Sequence, residues 1–293
     1  MAQSEGARSR RRGAQGGARA LTIEPAPPST LTAGAVGLLA APDPAVKVAA
    51  SLRLAERWRS GALEIGDMAP PPRPARPGRP LLRPPREMPK RHAFGSQAGR
   101  IALLHALAHI ELNAIDLAWD LIARFAREPL PRAFFDDWVG VAAEEASHFE
   151  LLAGRLADCG ACYGDLPAHD GLWEAAAATA GDLLARLAVV PLVLEARGLD
   201  VTPGMAAQLE RVGDPQSAAV LRRIYRDEIG HVAVGIHWFE QFCRTRELVA
   251  EEVFRERVRR YFTGELKPPF NHDARAAAGF PRDYYEPPAV RVL

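Results

Sequence analysis

Apolar positions recur every three to four residues along four long stretches, and period-two alternation is almost absent. The first stretch covers residues 97–127 and the second 131–158. The third covers 173–197, with Gly198 placed to terminate it. The fourth covers 214–246. Between the second and third lie residues 159–172, rich in Gly, Pro and His. A shorter helical pattern over 250–262 precedes an irregular tail with Pro268, Pro269, Pro281, Pro287 and Pro288. Upstream, residues 43–60 read as a helix, with Pro44 near its start and Val46, Val48, Ala49, Leu52, Leu54 and Trp58 along it. Pro70, Pro71, Pro72, Pro74, Pro77 and Pro80 then enforce an extended, irregular segment.

The chain is therefore expected to be all-α. Four long helices with one fourteen-residue middle connection match a ferritin-like four-helix bundle with one long crossover, because a short-loop up-down bundle needs no such segment. The expected divisions are a disordered basic tail over 1–29, an N-terminal helical element and Pro-rich wrapping segment over 30–95, the bundle over 96–247, and a C-terminal helix and irregular tail packed on the bundle over 248–293.

Composition narrows the classes. The chain has 293 residues, is 48% hydrophobic and carries a net charge of +1, so neither nucleic acid nor a membrane surface is indicated. No uninterrupted apolar run approaches the ~20 residues that span a bilayer. Cys159, Cys162 and Cys243 make no disulfide framework, and a reducing cytosol is the simple reading. Arg10, Arg11 and Arg12 lie in a low-complexity leader without the apolar region that an export signal needs.

Two segments share the pattern Glu-x-x-His, at Glu145–His148 and Glu228–His231. Residues three apart on a helix sit on one face, roughly 5–6 Å apart at Cβ, so a carboxylate and an imidazole can reach one ion. Each motif has an upstream glutamate. Glu111 lies 34 residues before Glu145, and Glu195 lies 33 residues before Glu228. Both upstream glutamates are flanked by apolar residues, where burial is costly without a partner or a metal. Four carboxylates and two imidazoles form the donor set of di-iron and di-manganese carboxylate bundles. Iron is the expected metal; manganese or a mixed pair also suits the set, and zinc is compatible. Each motif is preceded by an acid. Asp227 is expected to brace His148 across the bundle, and Glu144 to brace His231.

The chain resembles the bacterial family catalogued as domain of unknown function 455, in the ferritin-like superfamily. The stretches that carry the resemblance are His109-Ile-Glu-Leu-Asn-Ala-Ile-Asp116, Trp138-Val-Gly-Val-Ala-Ala-Glu-Glu-Ala-Ser-His-Phe149, Tyr163-Gly-Asp-Leu-Pro-Ala-His-Asp-Gly-Leu-Trp173, Glu195-Ala-Arg-Gly-Leu-Asp-Val-Thr-Pro203 and Asp227-Glu-Ile-Gly-His-Val232. The resemblance covers roughly residues 30–285 and implies a ferritin-like fold with a dinuclear metal site. It implies no substrate. More distant relatives include tRNA-modifying di-iron hydroxylases, ribonucleotide reductase small subunits and ferritins.

Other residues have plainer readings. His105, His109, Asn113, Asp116 and Asp120 share a face turned away from Glu111 and are expected to pack on the crossover or on terminal segments. Cys159 and Cys162 have redox-motif spacing without a preceding strand, and the spacing is read as chance. Pro191 is expected to kink the third helix beside Glu195. Arg197 and Asp200 are read as an ion pair, with anion or substrate binding the alternative. Tyr225 is read as a core residue, and His169 and Asp170 could line a site mouth.

The expected function is an O2-dependent oxidase or hydroxylase of an organic substrate, small or macromolecular. The alternative is a ferritin-like metal-binding or structural protein without such a substrate. A third reading is a metal-free scaffold. The extensions on both sides of the bundle would obstruct shell assembly. No membrane partner is expected; nucleic acid is not expected either, with tRNA left open.

Overall fold

The computed structural model describes residues 28–89 and 94–286. Residues 1–27 of the expected basic tail, together with Pro287 and Pro288, lie outside the described residues. Among those described there is no strand, only two isolated bridges. Two helices, α1 (Leu31–Leu39) and α2 (Pro44–Arg59), precede the first long pair, α3 (Gln97–Arg124) and α4 (Arg132–Asp158). The connection carries α5 (Gly171–Ala178). The third long stretch is composite, with α6 (Leu183–Val189), a π-helical segment (Val190–Glu195) and α7 (Ala196–Arg211). Then come α8 (Pro215–Thr245), α9 (Ala250–Tyr261) and two short helices, α10 (His272–Ala277) and α11 (Arg282–Tyr285).

Capping explains the starts. Ser96 accepts from Gly99 N at 3.1 Å ahead of α3, and Asp182 accepts from Ala185 N at 2.9 Å ahead of α6. Asp214 accepts from Ser217 N at 3.0 Å, with Pro215 in the first turn of α8.

Directions follow from contacts at the helix ends. Gln97 Nε2 donates to the Cys159 carbonyl, so α3 and α4 are antiparallel. Trp238 donates to Asp137 near one end of α4, and Arg155 donates to Ser217 near the other, so α4 and α8 are antiparallel. Arg222 pairs with Glu210, and Asn271 joins Tyr225 to Leu199, so α7 and α8 are antiparallel too. The order is up-down-down-up. Two consecutive helices that point the same way require a connection running the length of the bundle, and residues 159–182 supply it.

The third helix departs from expectation in two ways. It starts at Leu183 rather than Trp173, because residues 171–178 form the separate α5 within the connection. It also runs through Gly198 to Arg211. Ala196, Leu199, Thr202, Ala206 and Leu209 keep a buried helical stripe going past the glycine. Pro203 inside α7 cannot donate to the Leu199 carbonyl, and Asn271 Nδ2 donates to it instead at 3.1 Å. At Pro191 the helix widens into the π-helical turn that ends on Glu195.

One hydrophobic cluster runs from Leu31 and Trp58 through Trp119, Trp138 and Phe239 to Phe254 and Phe280, so the segments before and after the long helices share their core. By length and composition α3 alone among the described helices could cross a bilayer, with mean hydropathy 1.4, but 78% of that window is buried inside the fold. It also buries charge. Lys47 Nζ sits 2.5 Å from Asp116, which Arg76 approaches at 2.7 Å, and Arg186 donates to Asp120 at 2.7 Å. His109 hydrogen-bonds with Tyr163 Oη at 2.8 Å and with the His169 carbonyl at 3.0 Å. The polar stripe of α3 thus packs on the crossover and on N-terminal segments.

Candidate metal centre

The antiparallel crossing of α4 and α8 sets the two Glu-x-x-His motifs face to face. Each motif places its glutamate and histidine on one side of its helix, and each preceding acid reaches the other motif. His148 Nε2 lies 3.1 Å from Asp227 Oδ2, and His231 Nε2 lies 2.9 Å from Glu144 Oε2. The arrangement is reciprocal, as a local twofold would make it. With Nε2 engaged, both rings turn Nδ1 inward. His148 Nδ1 stands 3.6 Å from Glu111 and 3.5 Å from Glu145, while His231 Nδ1 stands 3.0 Å from Glu145 and 3.7 Å from Glu228.

These inward atoms approach one another as ion pairs, His231 Nδ1 and Glu145 Oε1 the nearest at 3.0 Å, without forming a hydrogen bond. Glu111 Oε2, both carboxylate oxygens of Glu145, His148 Nδ1, Glu195 Oε2, Glu228 Oε2 and His231 Nδ1 are all buried without a hydrogen-bond partner. An orphaned buried polar atom costs about 1–3 kcal/mol, and native proteins carry few of them. Such a concentration of orphaned atoms on Glu111, Glu145, His148 and Glu228 suits a cation. One ligand atom from each of Glu111, Glu145, His148 and Glu228 lies within 4.8 Å of the other three, so this buried group can hold a metal ion. His231 and Glu195 stand outside that tightest foursome. His231 is 1% exposed and touches Glu145 and Glu228; Glu195 is half-buried and shares a cavity wall with Glu111, Glu145 and Glu228.

Electrostatics record the crowding. Burial, and then the neighbouring Glu145, push the Glu111 and Glu228 carboxyls above the usual carboxylate range. Glu195 is raised by burial and then by Glu228 and Glu145. Burial opposes the ionisation of Glu145 as well, but His231 and His148 outweigh it and hold that carboxyl low. Burial likewise opposes the charge on both imidazoles, yet Glu111 and Glu145 lift His148 to about 11, and Glu145 and Glu228 lift His231 well above its ordinary value. Without cations the cluster compensates its own charge with protons.

A cavity of about 650 Å³ opens onto the four glutamates. It lies between α3 and the stretch from the π-helical turn into α7, while α3 packs chiefly on α4 and α1. From α3 it is lined by Leu103, Leu107, Ile110, Ala114 and Leu117, and from the facing stretch by Val190, Leu194, Val201 and Met205. Motif reading missed this wall. Its signal was available, since Leu103, Leu107, Ala114 and Leu117 share the Glu111 face of α3 at spacings of three, four and seven.

Residues outside the cluster are accounted for. His105 accepts from Gly164 N at 2.9 Å. Cys159 and Cys162 are free thiols near the end of α4 and in the loop that follows. Tyr225 Oη accepts from Asn271 at 3.1 Å. The crossover reaches the cavity through Leu172; His169 borders a separate small hollow beside His105 and His109, and Asp170 pairs with Arg73.

Comparison with known proteins adds kinship without chemistry. The family described as "Protein of unknown function (DUF455)" matches residues 40–286. An uncharacterized protein of Haemophilus influenzae is 45% identical over 209 residues, covering 70% of this chain and 72% of the relative. No solved structure matches.

Proposed function

The chain belongs to the family of unknown function DUF455, whose description assigns no activity, and we infer from its own geometry that it is a non-haem di-iron or di-manganese carboxylate protein that uses O2 to oxidise an organic substrate. One observation carries the reading. Glu111, Glu145, Glu195 and Glu228 line one apolar cavity, and they and the two imidazoles behind them carry buried atoms without a hydrogen-bond partner. Two divalent ions would balance the charge of four carboxylates. Glu111, Glu145 and His148 would serve one ion and Glu195, Glu228 and His231 the other, with Glu145 placed between the two rings. The up-down-down-up order and the long connection support a ferritin-like bundle.

Bound iron would supply the activation of O2. The chain's own contribution is different. Asp227 and Glu144 accept the outer ring N–H of His148 and His231, which fixes each tautomer and leaves Nδ1 as the donor to metal. The aliphatic wall keeps bulk water from the cluster and offers space for a substrate beside it. That space favours an oxidase or hydroxylase over a store of metal, because a store needs no such chamber.

Metal analysis after anaerobic reconstitution with Fe(II) and Mn(II), followed by spectra of the reduced iron form on exposure to O2, tests this. Two ions per chain and an O2-dependent absorption change are expected. A content well below one ion per chain would overturn the reading.

A further inference from the structure

We propose that the cavity between α3 and α7 binds a long-chain aliphatic carboxylate, with its head group on Arg197 and its methylenes laid across the glutamate cluster. The inference rests on the di-metal reading only for where the chain's carbons lie; the binding site stands on the cavity itself.

Shape argues first. The lining runs along α3 from Leu103 to Leu117, about 21 Å at 1.5 Å per residue. Glu111 falls near the middle of that span. The cluster thus opens onto the side of the chamber, and a head group on Arg197, two residues beyond Glu195, sets the first methylenes beside it. The lining chemistry argues second. Aliphatic side chains dominate it, and among the described residues Phe94 is its one aromatic. A nucleobase would need aromatic stacking and several donors aimed at its edges, whereas the described wall offers a single ring among aliphatic side chains. A hydrocarbon chain needs only apolar area removed from water.

Charge selects the head group. Arg197 lines the cavity with its side chain 41% exposed. Its Nη1 donates to the carbonyls of Lys267 and Pro269 at 2.8 and 3.2 Å, which holds the guanidinium without neutralising it. Asp200 is its nearest acid, at 3.4 Å. That carboxylate is already taken, since Arg275 donates to its two oxygens at 3.0 and 2.8 Å and Asn271 N donates at 2.9 Å. Arg275 is itself buried beside Asp200. Arg197 thus shares one carboxylate with Arg275, donating to Asp200 Oδ2 at 3.4 Å, so the trio carries two positive charges against one negative at the rim of an apolar chamber, and a ligand carboxylate matches the planar donors of Arg197.

Calorimetric titration of the full chain loaded with Mn(II), with dodecanoate and dodecylamine as probes, tests the assignment. One dodecanoate per chain is expected, and dodecylamine should bind at least tenfold more weakly. Arg197→Gln should weaken dodecanoate about tenfold with Mn(II) content unchanged. Ala114→Phe, which places a ring in the cavity, should block the probe altogether, and it decides the matter should Arg197→Gln fail to fold. Absence of dodecanoate binding, or binding that survives Ala114→Phe, overturns the proposal. So does equal affinity for the amine. The same titration on the metal-free chain separates the two readings. Dodecanoate binding without Mn(II) uptake would sink the di-metal centre and leave the cavity assignment intact.

Discussion

A Cβ built on Gly235 of α8 would stand 2.6 Å from Pro191 Cβ, the residue around which the third helix widens on its way to Glu195. Glycine inside a helix costs roughly 1 kcal/mol relative to alanine, so a residue with a side chain would be preferred there if one fitted. The rigid proline ring cannot swing aside as a flexible side chain could. Close approach of α8 to the π-helical turn therefore positions Glu195 relative to Glu228.

Gly235→Ala tests that dependence. Overpacking costs about 1–3 kcal/mol, which exceeds the gain in helix propensity. The variant should unfold at lower denaturant concentration and take up less metal than the parent on reconstitution. Undiminished stability with full metal content would show that the contact does not position Glu195.

The hydrogen-bond partners of the two rings should differ in weight. Asp227 is 19% exposed at its side chain and Glu144 is 50% exposed, so solvent competes more with the second. Burial works against the Asp227 charge, but Arg223 at 2.7 Å and then His148 keep its carboxyl below the usual range. Asp227→Asn should weaken metal binding by roughly 10–100-fold, as loss of a ligand's orienting partner typically does. Glu144→Gln should do less. Competition with a chromophoric chelator measures both, and equal effects would remove the argument from burial.

The response to pH follows from the raised carboxyls and imidazoles. Glu111, Glu195 and Glu228 have folded values above their ordinary 4.5, so the fold holds protons that the unfolded chain releases. The histidines act in the same direction. His148 contributes stability that is complete below 6.5 and is lost as pH rises toward about 11. Glu145 is opposite, its contribution present above 4.5 and lost on acidification. Metal-free protein should therefore lose stability from about pH 5 to pH 9. Metal displaces these protons, so its affinity should rise over the same interval. The thermal midpoint shift on adding Mn(II), worth ~2.7 kcal/mol at a hundredfold excess over Kd, should widen with pH. A shift that narrows with pH would contradict these charge states.

Buried and exposed ion pairs should separate clearly. Asp120→Ala leaves Arg186, 1% exposed, without its carboxylate partner in the core, and should cost about 3–5 kcal/mol. Glu210→Ala removes an exposed partner of Arg222 and should cost under about 1 kcal/mol. Urea midpoints of the two variants provide the comparison.

The sequence alone determined the helical class and singled out Glu111, Glu145, His148 and Glu228, which the fold brings together. Both depend on local spacing. Period 3.6 marks the helices, three-residue separation puts Glu145 with His148 and Glu228 with His231, and apolar neighbours announce the burial of Glu111 and the half-burial of Glu195. Proline at 191 announced a disturbance but not its form. Whether a helix kinks or widens there depends on what packs against it, here Gly235. Gly198 was a local stop signal that tertiary burial of Leu199, Ala206 and Leu209 overrode, and Asn271 from a distant segment satisfies the carbonyl that Pro203 leaves free. The cavity, the charge imbalance at Arg197 and the pairing of Asp120 with Arg186 were decided only by tertiary structure. Each arises from the spacing and orientation of helices far apart in the chain, and no local periodicity encodes that distance.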